Sequence, residues 1–139
     1  MMAALDRPTL RVLYMESDMG LALMVKKSLT RQGNVVETVD NGKDGLALAA
    51  KKPFDVILVD SALQKIDSLD VVEALVKDPT SPPVVIMVCH GAERVVGEAL
   101  DLGAATYLIK DSGLVFLDIL PPVIEQALRC AKLPGRDKP

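Results

Sequence analysis

The stretch Phe54-Asp55-Val56-Ile57-Leu58-Val59-Asp60 is a mostly apolar strand that ends abruptly on a carboxylate. Two other strand-like runs also finish in charged groups. Arg11-Val12-Leu13-Tyr14-Met15 leads into Glu16-Ser17-Asp18, and Ala105-Thr106-Tyr107-Leu108-Ile109 leads into Lys110. If the three strands are parallel neighbours, their carboxyl ends share one edge of the sheet. Two or three acids and one lysine then meet in a single crevice, which suits a small hard cation and a phosphoryl group.

Outward from that strand, apolar runs alternate with helical patterns. Leu21, Met24, Val25, Ser28 and Leu29 recur at helical spacing, and Gly33 makes a good stop. Val35 to Val39 reads as a second strand. Asn41-Gly42 opens a helix that runs to Lys52, ahead of Pro53 and the third strand, Phe54 to Val59. A loop from Ser61 to Asp67 precedes a helix carrying Val71, Val72, Leu75 and Val76. The Pro-rich segment Asp78 to Pro83 is a loop by composition. Val84 to Cys89 is continuously apolar, as expected of a parallel strand covered on both faces.

A helix from Ala92 to Leu102 ends at Gly103, and the strand Ala105 to Ile109 follows. Ile119, Leu120, Val123, Ile124, Ala127 and Leu128 mark an amphipathic last helix. Pro121 and Pro122 fit its first turn, where amide hydrogens lack intrahelical partners. Five strands alternating with five helices predict an α/β three-layer sandwich, a single open parallel sheet wound on both faces. Residues 1–9 read as an N-terminal extension, 10–132 as the domain and 133–139 as a tail or linker.

Composition sets further bounds. The 139 residues suit one domain, and 50% apolar with 25% charged residues is ordinary for a globular chain and wrong for disorder. Aromatic residues are scarce, so the core must be aliphatic. The net charge of −3, without a basic stripe, argues against nucleic-acid or anionic-membrane binding. Two cysteines, Cys89 and Cys130, are too few for a disulfide framework and lack metal-ligand spacing. No run has the length of a signal peptide or a membrane span. A reduced, cytoplasmic domain is the expectation.

Taken in order, these features resemble the CheY-like receiver domain of two-component response regulators, over about residues 10 to 132. The resemblance is carried by the acids at Glu16 to Asp18, Asp60 after a hydrophobic strand, Gly103-Ala104 before the fifth strand, and Tyr107 three residues before Lys110. It implies a flavodoxin-like (βα)5 fold with strand order 2-1-3-4-5 and a crevice between strands 1 and 3. It further implies that Asp60 takes a phosphoryl group from the phosphohistidine of a histidine kinase or phosphotransfer protein. Mg²⁺ would be held by Glu16, Asp60, the Ala62 backbone carbonyl and a neighbour, Ser17 or Asp18. Lys110 would contact the phosphoryl oxygens, while Tyr107 swings inward on activation. The signal would leave through the face of the fourth helix, fifth strand and fifth helix, a face that could also form a homodimer. A linked sensor or output module is a further implication. The domain would be a phosphoacceptor rather than an enzyme in its own right.

The chain departs from that pattern at several positions. Ser17 stands where the family carries the second acid of a pair, and a neutral hydroxyl there should weaken the metal. Asp18 either turns inward to restore the charge or caps the first helix, and capping is the favoured reading. The end of the fourth strand normally supplies a Thr or Ser switch residue; here the position falls on Val88 or Cys89, and neither offers a hydroxyl. Gln64-Lys65 replace a common Pro-Gly, and Ser68 replaces a common Gly, so the loop after Asp60 is expected to differ in shape and the Ala62 carbonyl is a less secure ligand. Gly97, inside the fourth helix, either weakens it by about 1 kcal/mol or meets tight packing.

Two rival readings compete with the phosphoacceptor. Ser17 and the missing hydroxyl favour a pseudo-receiver, a protein-interaction module that signals without phosphate. A phosphohydrolase of the haloacid-dehalogenase type would need an acid two residues after its nucleophile, where this chain has Ala62. Adjacent Cys89 and His90 lack the facing geometry and third group of a nucleophile pair.

Overall fold

Five strands alternate with five helices in the computed structural model, which describes residues 9–111 and 113–132. They are β1 (Arg11–Met15), α1 (Met19–Arg31), β2 (Val35–Val39), α2 (Gly42–Lys51), β3 (Val56–Asp60), α3 (Ser68–Lys77), β4 (Val84–Cys89), α4 (Arg94–Leu102), β5 (Thr106–Lys110) and α5 (Phe116–Lys132). All pairings are parallel, in the order β2-β1-β3-β4-β5. Residues 1–8 of the expected extension and the tail 133–139 lie outside the described residues.

The order follows from burial. Every residue of β3 is buried, so this strand sits at the centre with helices over both faces. On one face Val12, Tyr14, Leu58, Val85, Met87 and Leu108 pack against Ala22, Val25 and Leu29 of α1 and Phe116, Leu120, Ile124 and Ala127 of α5. On the other, Leu13, Met15, Ile57, Val59, Ile86 and Val88 meet Val71, Val72 and Leu75 of α3 and Ala99 of α4. Side chains alternate between faces every residue. Continuing the first face beyond Tyr14, Leu58, Met87 and Leu108 reaches Glu16, Asp60, Cys89 and Lys110. Fold periodicity therefore brings these four groups to one side of one edge.

Local chemistry fixes where the helices begin and stop. Asp18 caps α1 by accepting from the Leu21 amide, Asn41 caps α2 through the Asp44 amide, and Asp67 caps α3 through the Leu69 amide. Each cap satisfies a backbone donor that the helix leaves unpaired. Gly103, at φ 122°, ends α4 and turns the chain into β5; a Cβ there would stand 2.5 Å from Val76 Cγ1.

Several boundaries differ from the sequence reading. Strand β3 starts at Val56 and includes Asp60, β5 starts at Thr106 and includes Lys110, and α4 begins at Arg94 rather than Ala92. The larger correction concerns the last helix. It starts at Phe116, so Pro121 and Pro122 lie in its second turn rather than its first. The cause is upstream. Both carboxylate oxygens of Asp111 accept from the Val115 and Phe116 amides, while buried Phe116 anchors the first turn in the core. The prolines cost the helix two backbone donors without ending it. Met24 and Ile119, read as facing the core, are exposed because the buried stripes pass through Val25 and Leu120 instead.

Candidate functional site

Lys110 crosses the edge of the sheet to reach two acids at once. Its Nζ lies 2.8 Å from Glu16 Oε1 and is also hydrogen-bonded to Asp60 Oδ1. All three residues are buried, with Glu16 and Asp60 each 2% exposed and Lys110 8%. The pairings explain the convergence: Met15 is in register with Val59, just before Glu16 and Asp60, and Cys89 is in register with Lys110. Burial alone would favour a neutral amine at Lys110. The hydrogen bonds and charges of Asp60 and Glu16 outweigh it and raise the lysine above its ordinary range. The centre thus holds two carboxylates and one ammonium.

Each acid has further partners. Tyr14, two residues before Glu16 on the same face of β1, donates its hydroxyl to Glu16 Oε1 at 2.6 Å. Burial first, and then the Glu16 charge, push this phenol far above its ordinary range, so it stays a donor. The Asp18 amide donates to Glu16 Oε2 at 3.2 Å. Asp60 Oδ2 accepts from the Ala62 amide at 3.0 Å. Behind Asp60, the Ser68 hydroxyl donates to the Asp60 carbonyl at 2.6 Å and accepts from the Leu63 amide at 3.2 Å. That side chain ties the start of α3 to the end of β3 and to the loop between them. Lys65 in this loop adopts φ 72°, a left-handed conformation that a glycine would accept without strain.

A crevice of about 630 Å³ opens over the three charged groups. Ser17, Asp18, Ala62, Cys89 and His90 also line it. Asp18 spends its carboxylate on the helix cap while standing at the crevice rim. Val88, one of the two candidate switch positions, is fully buried on the opposite face of the sheet, against the α3 and α4 layer. Of the pair, Cys89 is the one at the crevice. His90 is exposed and lies 3.4 Å from Glu93, on its own surface loop. Tyr107 is 43% exposed, on the face of β5 opposite to Lys110. Nothing packs near Gly97: a Cβ there would find open space, which removes tight packing as its reason.

Sequence reasoning passed over two contributors. Tyr14 was legible in principle, since a residue two before Glu16 on a strand must share its face. Ser68 was noted only as a departure that reshapes the loop; its bond to the Asp60 carbonyl gave no local signal, because it depends on the loop folding back onto the strand.

The donor set suits magnesium. Among the described residues no three His, Cys, Asp or Glu side chains gather as a metal-holding group. Magnesium rarely asks for that; it takes one or two carboxylates and keeps several waters. Glu16 Oε2 and Asp60 Oδ2 each accept a single backbone amide, leaving lone pairs toward the crevice.

The chain is 30% identical over 100 residues to the transcriptional regulatory protein PcoR of Escherichia coli, an overlap of 72% of this chain and 44% of that protein. It is 31% identical over 127 residues to the transcriptional activator protein PfeR of Pseudomonas aeruginosa, covering 91% of this chain and 41% of the relative. The chain therefore spans less than half the length of these curated relatives. Among solved structures, the chemotaxis response regulator CheY4 of Vibrio cholerae superposes with a TM-score of 0.75 at 24% identity, over 84% of this chain and 99% of that one. That likeness establishes the shared flavodoxin-like fold. Residues 12–118 match the model of the response regulator receiver domain, so this chain belongs to the receiver domains of two-component signalling.

Proposed function

We propose that Asp60 is a phosphoacceptor. The observation that carries this reading is the buried Lys110 ammonium held between Glu16 and Asp60 at the floor of an open crevice. A carboxylate oxygen of Asp60 would attack the phosphorus of a partner's phosphohistidine, the P–N bond would break, and the imidazole would leave with the bonding electrons. Lys110 stands where it can pass from the Asp60 carboxylate to the new phosphoryl oxygens. Such transfer is mainly positioning and charge neutralisation. Glu16, Asp60 and the Ala62 carbonyl would hold Mg²⁺, with Ser17 or Asp18 beside them. When bound, the cation would offset the charge of the phosphoryl oxygens.

The group gained carries about −1.5 to −2 charges, set beside a buried trio of Glu16, Asp60 and Lys110 that sums to −1, with Asp18 and Asp111 also lining the crevice. The perturbation is large enough to draw Lys110 and the Cys89 strand end toward it, and Tyr107 from solvent toward the space between β4 and α4. The face of α4, β5 and α5 would then present the changed surface to a partner, to a second copy, or to an output module. The curated relatives are transcriptional regulators more than twice as long as the overlap, which supports a linked output module. A histidine kinase or phosphotransfer protein is the proposed donor, and the cytoplasm the proposed compartment. Among the described residues no helix is long and apolar enough to cross a membrane.

A second reading, the pseudo-receiver, is favoured by Ser17 and Cys89, which replace an acid and a hydroxyl at the crevice. One experiment separates the two. The protein is incubated with Mg²⁺ and a small-molecule phosphodonor, and its intact mass is measured, with Asp60→Asn as control. One added phosphoryl group on the wild type and none on the variant supports the phosphoacceptor. No uptake at saturating Mg²⁺ supports the pseudo-receiver.

A further inference from the structure

Tyr14 is wholly buried, its ring packed in the aliphatic layer beneath α1 and α5. Its hydroxyl reaches up to the charged centre and donates to Glu16 Oε1 at 2.6 Å. Lys110 Nζ donates to the same oxygen at 2.8 Å, and the Asp18 amide donates to Oε2 at 3.2 Å. A carboxylate offers about four lone-pair sites, so three donors leave one, and it lies on Oε2. We propose that Tyr14 is a positioning residue of this site: its hydroxyl, anchored in the core, holds Glu16 with Oε1 toward Lys110 and Oε2 toward a divalent cation. The inference rests on the reading of Glu16 and Asp60 as the cation site.

Two features of this chain give the contact its purpose. Ser17 puts a neutral hydroxyl directly after Glu16, and Asp18 caps α1, so the geometry of Glu16 matters more. Glutamate also has a longer side chain than aspartate, with more rotamer freedom to lose on being fixed. Lys110 cannot supply the fixation alone, because phosphoryl transfer requires it to turn away from the acids. Tyr14 gives Glu16 an anchor independent of that lysine. A hydroxyl that merely needed satisfying would leave cation binding untouched when removed.

The test is calorimetric titration of the whole chain with Mg²⁺, on the wild type and on Tyr14→Phe, Glu16→Asp, the double variant and Asp60→Asn. Groups behind a metal ligand typically govern affinity by about 10- to 100-fold, so Tyr14→Phe should weaken Mg²⁺ by at least about 10-fold. Asp at position 16 falls short of the hydroxyl, and in that background Tyr14→Phe should change affinity by less than about twofold. The unmutated chain offers an independent signature, because it has no Trp and only two Tyr. Iodide quenches exposed Tyr107, so the surviving emission is that of Tyr14, and it should change over the same Mg²⁺ range as the heat. Equal affinity in wild type and Tyr14→Phe, with binding still dependent on Asp60, overturns the role of Tyr14 alone. No Mg²⁺ binding by the wild type, or none lost in Asp60→Asn, overturns the cation site and this inference together. Should Tyr14→Phe fail to fold, buried-tyrosine emission that stays constant through the titration overturns the proposal.

Discussion

Replacing Lys110 with Met keeps the length and apolar stem of the side chain but deletes the ammonium between two buried acids. The lysine nitrogen is 2.8 Å from Glu16 Oε1 and bonded to Asp60 Oδ1. Without it the two carboxylates face each other across roughly 5 Å, where like charges at an effective dielectric of about 20 repel by ~3 kcal/mol. Removing one partner of a buried ion pair commonly costs about 3–5 kcal/mol, so the figures agree. We expect Lys110→Met to lose about 3–4 kcal/mol at pH 7.5 in the absence of Mg²⁺. The sign of the pH dependence follows from linkage. The folded variant relieves repulsion by binding one proton that the unfolded chain does not hold, so its stability falls as pH rises. Part of the loss should return as pH falls, at up to about 1.4 kcal/mol per pH unit. In the wild type Lys110 is raised above its ordinary range, so its own contribution is complete throughout this fall and fades only as pH climbs past that range. Urea unfolding followed by circular dichroism at pH 5, 6, 7 and 8 reads the difference directly. A loss under about 1 kcal/mol that does not vary with pH would refute the coupled buried centre.

Three further outcomes are expected. Ser17→Asp adds an acid directly after Glu16 and should tighten Mg²⁺ by about 10-fold or more in calorimetric titration; unchanged affinity would mean the residue points away from the cation. Gly97→Ala fills open space on a helix that has no side-chain N-cap bond, so it should stabilise by about 0.5–1 kcal/mol and raise the melting temperature by a few degrees; a lower melting temperature would reveal a contact the space does not show. Burial counts against the charged form of Asp111, but the Val115 and Phe116 amides win and hold its carboxyl below the ordinary range. Its anchoring of α5 is therefore complete above the ordinary Asp range and lost as pH falls through the lowered value; amide-exchange protection at Val115 and Phe116 should collapse on that acid limb and be low at all pH values in Asp111→Ala.

The fold was legible because one physical rule governs it throughout. Unbroken apolar runs at Val56–Val59 and Val84–Val88 can only be strands covered on both sides, and the intervening helical patterns supply the covers. The site was legible by the same rule, since the residue after an apolar strand of parallel neighbours has one edge to go to. What failed was more local. Pro121 and Pro122 suggested a helix start, yet the start is set five residues earlier by a carboxylate at Asp111, whose reach depends on a loop that no periodicity describes. The choice between Val88 and Cys89 could not be made by counting in from either end of the strand. It needed the register that sets Cys89 opposite Lys110 and turns Val88 into the other layer. The loop after Asp60 shows the same limit. Lys65 accepts a left-handed backbone and Ser68 clamps the Asp60 carbonyl, so two residues that break the family pattern shape the loop that follows β3. Strand alternation decides which side chains reach the crevice; contacts distant in sequence decide how firmly they are held there.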